Sequence, residues 1–276
     1  MPFASRGGFL HQPPAAAAGR RTGAADTNSS LTWSAATGGS PGETTQTDEF
    51  KYGTASYYTG TNAGEIFTSQ NPGIMNYGTG DFCLEWYMYI DSLSGQSASC
   101  DVMSNDTSGG FGFRLAQRYN QQGLSSGANA KWINVFARGQ ADLDRWDIST
   151  GTSGDSTWQT GKWYYCVMQR KSSNLAFWLD GVLKTKVDGP NGSGDSRNFA
   201  SSTASSRVRW GAADVTSNGV NSIYFDEICW SNSWRYDDSG DISTLPSAAF
   251  TVDEYTDQLM HMDGTDGGTT FTNDQG

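Results

Sequence analysis

WYYCVMQRKSSNLAFWLDGVLKTKV, residues 163–187, decides the architecture. WYYCVMQRK reads as one strand, Ser172-Ser173-Asn174 as a turn, and LAFWL as the returning strand. Asp180-Gly181 is then a two-residue turn, because Asp-Gly tolerates the positive φ of a type I′ hairpin. Val182 to Val187 follows as a third strand.

The same grammar extends in both directions. FCLEWYMYI, residues 82–90, places Phe82, Leu84, Trp86, Met88 and Ile90 on one face and Cys83, Glu85, Tyr87 and Tyr89 on the other. Gly78, Gly80 and Gly95 punctuate its ends. Phe111–Leu115 and Trp132–Ala137 read as further strands, as do RVRWG from Arg207 and SIYFDEICW after the Ser217–Gly219 turn. Leu259–Met262 forms a last short strand before Asp263-Gly264 and Asp266-Gly267-Gly268 turns. No stretch carries an amphipathic helical period, so the chain is predicted all-β.

Composition agrees. The 276 residues hold 34 Gly, 10 Trp, 12 Tyr and 13 Phe but only 7 Pro, as expected of many strands joined by tight turns around an aromatic core. A formal charge of −11 argues against nucleic acid, whose phosphates need a basic surface, and against anionic membranes. No segment approaches the ~20 apolar residues of a membrane span. The opening MPFASRGGFLHQPPAAAAGRR is broken by His11, Gln12, Pro13 and Pro14, so it does not read as a signal peptide. Cys83, Cys100, Cys166 and Cys229 lack metal or redox spacing and are expected to be reduced.

Three regions follow. Residues 1–30 are a low-complexity, basic N-terminal arm. The arm is either a disordered tail or an anchor that orders on a neighbouring subunit, with Arg6, Phe9, Arg20 and Arg21 as its assembly residues. Residues 31–240 are the sandwich, and 241–276 a C-terminal extension.

Residues 51–60, KYGTASYYTG, resemble the opening signature of laminin G-like, concanavalin A-like modules. GTGDFCLEWYMYI (78–90), GKWYYCVMQRKSSNLAFWLDGVL (161–183) and NSIYFDEICWSNSW (221–234) follow in the family's order, so the resemblance covers about residues 50–236. It implies an antiparallel jelly-roll sandwich. The ending LMHMDGTDGGTTFTND is similar to the first strand and turn of such modules in structural proteins of tailed phages, particularly those of marine bacteria. Either a second module begins here, the preferred reading, or the strand closes a sandwich at home or in a neighbour.

Catalytic patterns are sparse. Glycosidases of this fold carry carboxylates in an E-x-D-x-x-E arrangement, and none is found. Asp226-Glu227 are adjacent, so regular strand alternation sends them to opposite faces, where backbone amides would satisfy them. Asp253-Glu254 read as solvated loop residues. His11 and His261 lie far from any G-x-S-x-G and read as incidental. No phosphate-binding or dinucleotide fingerprint occurs.

The resemblance leaves Ca²⁺ open, since many such modules hold it through loop oxygens. Asp142, Asp144 and Asp147 around Trp146 could supply ligands while Trp146 stacks on a sugar ring; the competing reading is a solvated acidic loop with a packed Trp. Asp237 and Asp238 are a weaker pair.

The function expected is a non-enzymatic virion structural protein of a tailed phage: a head or tail appendage, fibre or decoration subunit. The arm would engage other virion proteins after assembly in the host cytoplasm, the chain would form a homo-oligomer (a trimer in this reading), and the jelly roll would face host-surface glycans. The alternative is a free carbohydrate-binding, lectin-like module. A polysaccharide hydrolase with a divergent site is the third.

Overall fold

The computed structural model describes residues 44–59, 80–93, 160–172, 174–188 and 221–268. It also describes the separate strands at 32–35, 66–68, 99–104, 114–118, 134–138, 145–149, 209–210 and 270–272. In chain order the strands begin with β1 (Thr32–Ala35), β2 (Thr44–Gln46), β3 (Ser56–Tyr58), β4 (Ile66–Thr68), β5 (Phe82–Leu93) and β6 (Ser99–Ser104). There follow β7 (Arg114–Arg118), β8 (Asn134–Arg138), β9 (Arg145–Ser149), β10 (Trp163–Lys171) and β11 (Asn174–Leu179). The last are β12 (Val182–Asp188), β13 (Arg209–Trp210), β14 (Asn221–Ser231), β15 (Thr256–Met260) and β16 (Thr270–Thr272). No helix occurs among the described residues.

Every pairing is antiparallel, and the strands form the two sheets of a jelly-roll sandwich. The first runs β16-β1-β4-β13-β6-β7-β8-β9, the second β12-β11-β10-β5-β14-β3-β2, with β15 also on β14. The 163–187 stretch folds as its sequence dictates: β10 and β11 pair from Cys166↔Leu179 to Lys171↔Asn174, and β11 turns into β12. Asp180 and Gly181 have φ of 50° and 78°, both in the left-handed region that a type I′ turn requires.

Several strand bounds shift against expectation. β5 runs on to Leu93, the strand expected at 111–115 lies at 114–118, and the one expected at 132–137 lies at 134–138. RVRWG keeps only Arg209–Trp210. The last pieces differ more. The strand expected at 259–262 spans Thr256–Met260 and pairs with β14, while Thr270–Thr272 pairs with β1. Both strands of the segment set apart at 241–276 thus join sheets of this same chain. The proposed arm, residues 1–30, lies outside the described residues.

The second sheet is buried on both faces, which simple alternation does not anticipate. Phe82, Leu84, Trp86 and Met88 line one face with Tyr164, Cys166, Met168, Phe225 and Trp230. On the opposite face Cys83, Tyr87, Tyr165, Val167, Ala176 and Trp178 form a second apolar cluster, roofed by Tyr52, Tyr236, Ile242 and Phe250. The roof is mostly the long irregular connection between β14 and β15, residues 232–255, which lies across the sheet as a strap. β10 is therefore buried from Tyr164 to Arg170 without interruption, and its Tyr164–Met168 part is the near-continuous apolar run that doubly covered strands carry.

Candidate functional site

The strap is held by polar groups rooted in the strands beneath it. Glu85 stands on β5 opposite Val167 of β10 and Cys229 of β14, near the middle of the sheet. A lone carboxylate there would carry a large desolvation cost, so it must find donors. Its Oε1 accepts the Tyr165 hydroxyl at 2.5 Å and the Tyr236 hydroxyl at 2.6 Å, and the two phenol oxygens lie 2.8 Å apart. The other oxygen, Oε2, faces Arg235 Nε at 3.3 Å. Burial, followed by the Glu85 charge, pushes both phenols well above their usual range, so they stay protonated and donate.

Arg235 links this group to the strap's far end. Its two terminal nitrogens grip Asp253 at 2.8 and 2.9 Å, and Nε donates to Ser231 Oγ at 2.7 Å. That bidentate fork is the geometry guanidinium and carboxylate favour. Gln169 of β10 reads the strap's backbone: its Oε1 accepts from Arg235 N (2.6 Å) and Tyr236 N (2.8 Å), and its Nε2 donates to Tyr236 O (2.8 Å). Further along, Trp178 Nε1 donates to Gly240 O, Leu183 N to Asp241 Oδ1, and both Tyr52 and Tyr87 hydroxyls to Pro246 O.

A second knot sits at the bulge of β14. Glu227 takes φ 51°, and three residues of β14 advance while β5 advances two. Asp226 and Glu227, expected on opposite faces, consequently both reach the covering segments. Asp226 Oδ2 accepts from Lys51 N (2.8 Å) and Tyr52 N (3.1 Å), and its Oδ1 from Glu227 N (2.8 Å). Glu227 Oε2 accepts from Phe250 N (2.6 Å), and its Oε1 lies 2.8 Å from His261 Nδ1. Backbone amides thus satisfy Asp226 as expected, whereas Glu227 takes one amide and the His261 imidazole. Burial drives the Asp226 carboxyl up to about 8 despite these amides. His261, read as incidental, is a partner of a carboxylate that is 1% exposed.

Between the strap and the sheet a cleft of about 1010 Å³ remains. Glu85, Arg235 and Tyr236 form its floor; its wall is the strap from Asp241 to Asp253.

The sequence candidates are distributed differently. Trp146 and Asp147 lie within β9, opposite Ala137 and Phe136, rather than in a loop. Asp142 and Asp144, like Arg6, Phe9, Arg20 and Arg21 of the arm, fall outside the described residues. Asp237 and Asp238 are occupied: Lys171 Nζ lies 3.4 and 3.6 Å from them, and Asn174 donates to Asp238. Asp253, expected to be solvated, holds Arg235. Among the described residues no group of three or more His, Cys, Asp or Glu is arranged to hold a metal. Cys83, Cys166 and Cys229 are free and buried, and burial pushes the Cys229 thiol up to about 12. The Glu85 network was missed as a site. Its signal is a charge inside FCLEWYMYI, since a Glu flanked by apolar residues within a strand demands partners.

No family model matches the chain, and no curated protein does. Among solved structures it is similar to the botulinum neurotoxin serotype C1 binding domain (9% identity, 75% of this chain and 44% of that one, TM-score 0.47). It is also similar to the binding domain of Paraclostridial Mosquitocidal Protein 1 (14%, 71% and 45%, TM-score 0.47). A third is the binding domain of botulinum neurotoxin DC in complex with rat synaptotagmin II (11%, 75% and 44%, TM-score 0.48). The chain spans less than half the length of each. The likeness is distant, and the architecture above rests on the strand pairings themselves.

Proposed function

We propose that the chain is a non-enzymatic virion structural protein of a tailed phage, a head or tail appendage, fibre or decoration subunit, whose jelly roll meets host-surface glycans. One observation supports the non-enzymatic reading above others: the deeply buried carboxylates of the described sandwich are committed to holding segments of the chain together. Glu85 accepts two phenols beside Arg235, Asp226 accepts three backbone amides, and Glu227 bridges Phe250 and His261. An acid–base pair for glycoside cleavage must instead flank a bound sugar. The phage assignment is supported by the similarity of residues 259–274 to phage structural modules. In this reading residues 1–30 anchor to other virion proteins and the chain assembles as a homo-oligomer, with three copies as the working number.

Mass spectrometry of purified particles tests the assignment. The chain is expected in stoichiometric, salt-resistant association with the particle, and its absence from particles overturns the virion role. A free lectin-like module is the second reading, favoured by the polar cleft under the strap. A glycan array probed with and without calcium tests its sugar-binding content and, with Asp142, Asp144 and Asp147 replaced by Asn, the calcium site drawn from the sequence.

A further inference from the structure

The cleft between the strap and the second sheet opens beside the network that holds the strap, with Glu85, Arg235, Asp241 and Asp253 all on its lining. From its chemistry we infer that it is a binding site for an uncharged oligosaccharide, with Asp241 as hydroxyl acceptor and the 243–250 strap as its wall. This deepens the glycan-binding part of the proposed function and rests on it.

The size is right: about 1010 Å³ stands at the upper end of the ~300–1,000 Å³ of small-molecule sites. Charge restricts the occupant. Glu85, Asp237, Asp241 and Asp253 all border the cleft, while Arg235 is the one cation among its described lining residues. Both terminal nitrogens of Arg235 are taken by Asp253, so no guanidinium edge is left to receive a carboxylate, sulfate or phosphate. An anionic ligand would meet a lining that stays net negative even after these pairings.

A concentrated cation site is not built either. Glu85 and Asp253 share Arg235, and Asp237 is paired with Lys171. Asp241 spends Oδ1 on the Leu183 amide and retains Oδ2 as an acceptor. Isolated acceptors of this kind suit hydroxyl donors. The wall supplies the complement: exposed Ser243, Thr244 and Ser247 can exchange hydrogen bonds, and the half-buried Phe250 and Tyr236 rings border the same space. Aromatic edges with scattered hydroxyls and carboxylates match the alternating apolar and hydroxylated faces of a sugar ring. Ile242, Leu245, Pro246 and Ala248 supply the apolar part of the same wall, interleaved with these polar groups.

The test uses the full chain. Neutral glucose-, galactose- and mannose-based oligosaccharides, with sulfated and sialylated counterparts, are titrated into ¹⁵N-labelled protein, and amide shifts of residues 241–253 are followed. A neutral member is expected to shift these amides saturably, with its sulfated form bound about tenfold or more weakly. Ala249→Trp and Ser247→Trp, both at exposed strap positions, are each expected to weaken binding about tenfold or more while preserving the thermal midpoint. Shift mapping on the unmodified chain gives the answer even where a variant misfolds. The cleft assignment is overturned, with glycan binding intact, if sugars bind but shift amides elsewhere and both tryptophan variants bind normally. No binding by any neutral sugar to millimolar concentration overturns the inference together with the glycan reading, while the particle analysis still decides the virion role separately. Preference for spermine or an oligolysine over every sugar overturns the ligand class.

Discussion

Glu85 and Asp226 show how one acidic side chain can organise many residues. Glu85→Gln keeps the shape but removes the charge that orients two phenols and Arg235. Chemical unfolding is expected to report a loss of about 2–4 kcal/mol, and Tyr236→Phe a loss of about 1–2 kcal/mol. Asp226 makes a pH prediction. Its folded value of about 8 stands above its ordinary value near 3.8, so between these pH values the native state binds more protons than the unfolded chain. Its contribution to stability is complete below the lower value and fades as pH rises toward the upper one. Thermal midpoints should therefore decline from pH 4 to 8 through this group, and Asp226→Asn should flatten that decline. Little of this was legible beforehand. The pair Asp226-Glu227 was visible, but regular alternation assigns it to opposite faces, and only the bulge with its positive φ at Glu227 brings Asp226 to the 51–52 segment and Glu227 to the strap.

Among the strands, legibility followed length and turn chemistry. β5 and the β10–β11–β12 meander could be read because each carries enough apolar residues to fill a sheet, and because Asp180-Gly181 has one natural backbone solution. β2, β3, β4 and β16 are three residues each, too short for any period to show; their pairing is imposed by neighbours. The same turn offers a test. A Cβ on Gly181 would stand 2.7 Å from Leu245 Cδ2 and 3.1 Å from Ile242 O, at a φ of 78°. Gly181→Val should therefore cost about 2–3 kcal/mol in unfolding experiments. It should also make the 241–246 part of the strap more sensitive to limited proteolysis, because Ile242 N donates to the Gly181 carbonyl.

For the molecule as a whole, the two-sheet plan was readable and the third layer was not. Residues 232–255 have no period, so nothing in their composition announces that they roof a sheet; what betrays them afterwards is that both faces of β10 are apolar. The C-terminal strands matter equally. Removing everything after Tyr255 would strip β15 from β14 and β16 from β1, and with them buried Leu259, Met260 and Met262. Such a truncation is expected to abolish cooperative unfolding, read by circular dichroism against temperature; a cooperative melt near that of the full chain would show that these strands are dispensable. Thr32 pairs with Thr272 across the β1–β16 ladder, so polypeptide joined ahead of the first residue and behind the second departs from one corner. Tension applied through those two connections would load that ladder's bonds successively, like a zipper, instead of shearing them together. Optical-tweezer pulling should find this end of the sandwich opening first and at low force, a mechanical weak point beside a far tougher centre.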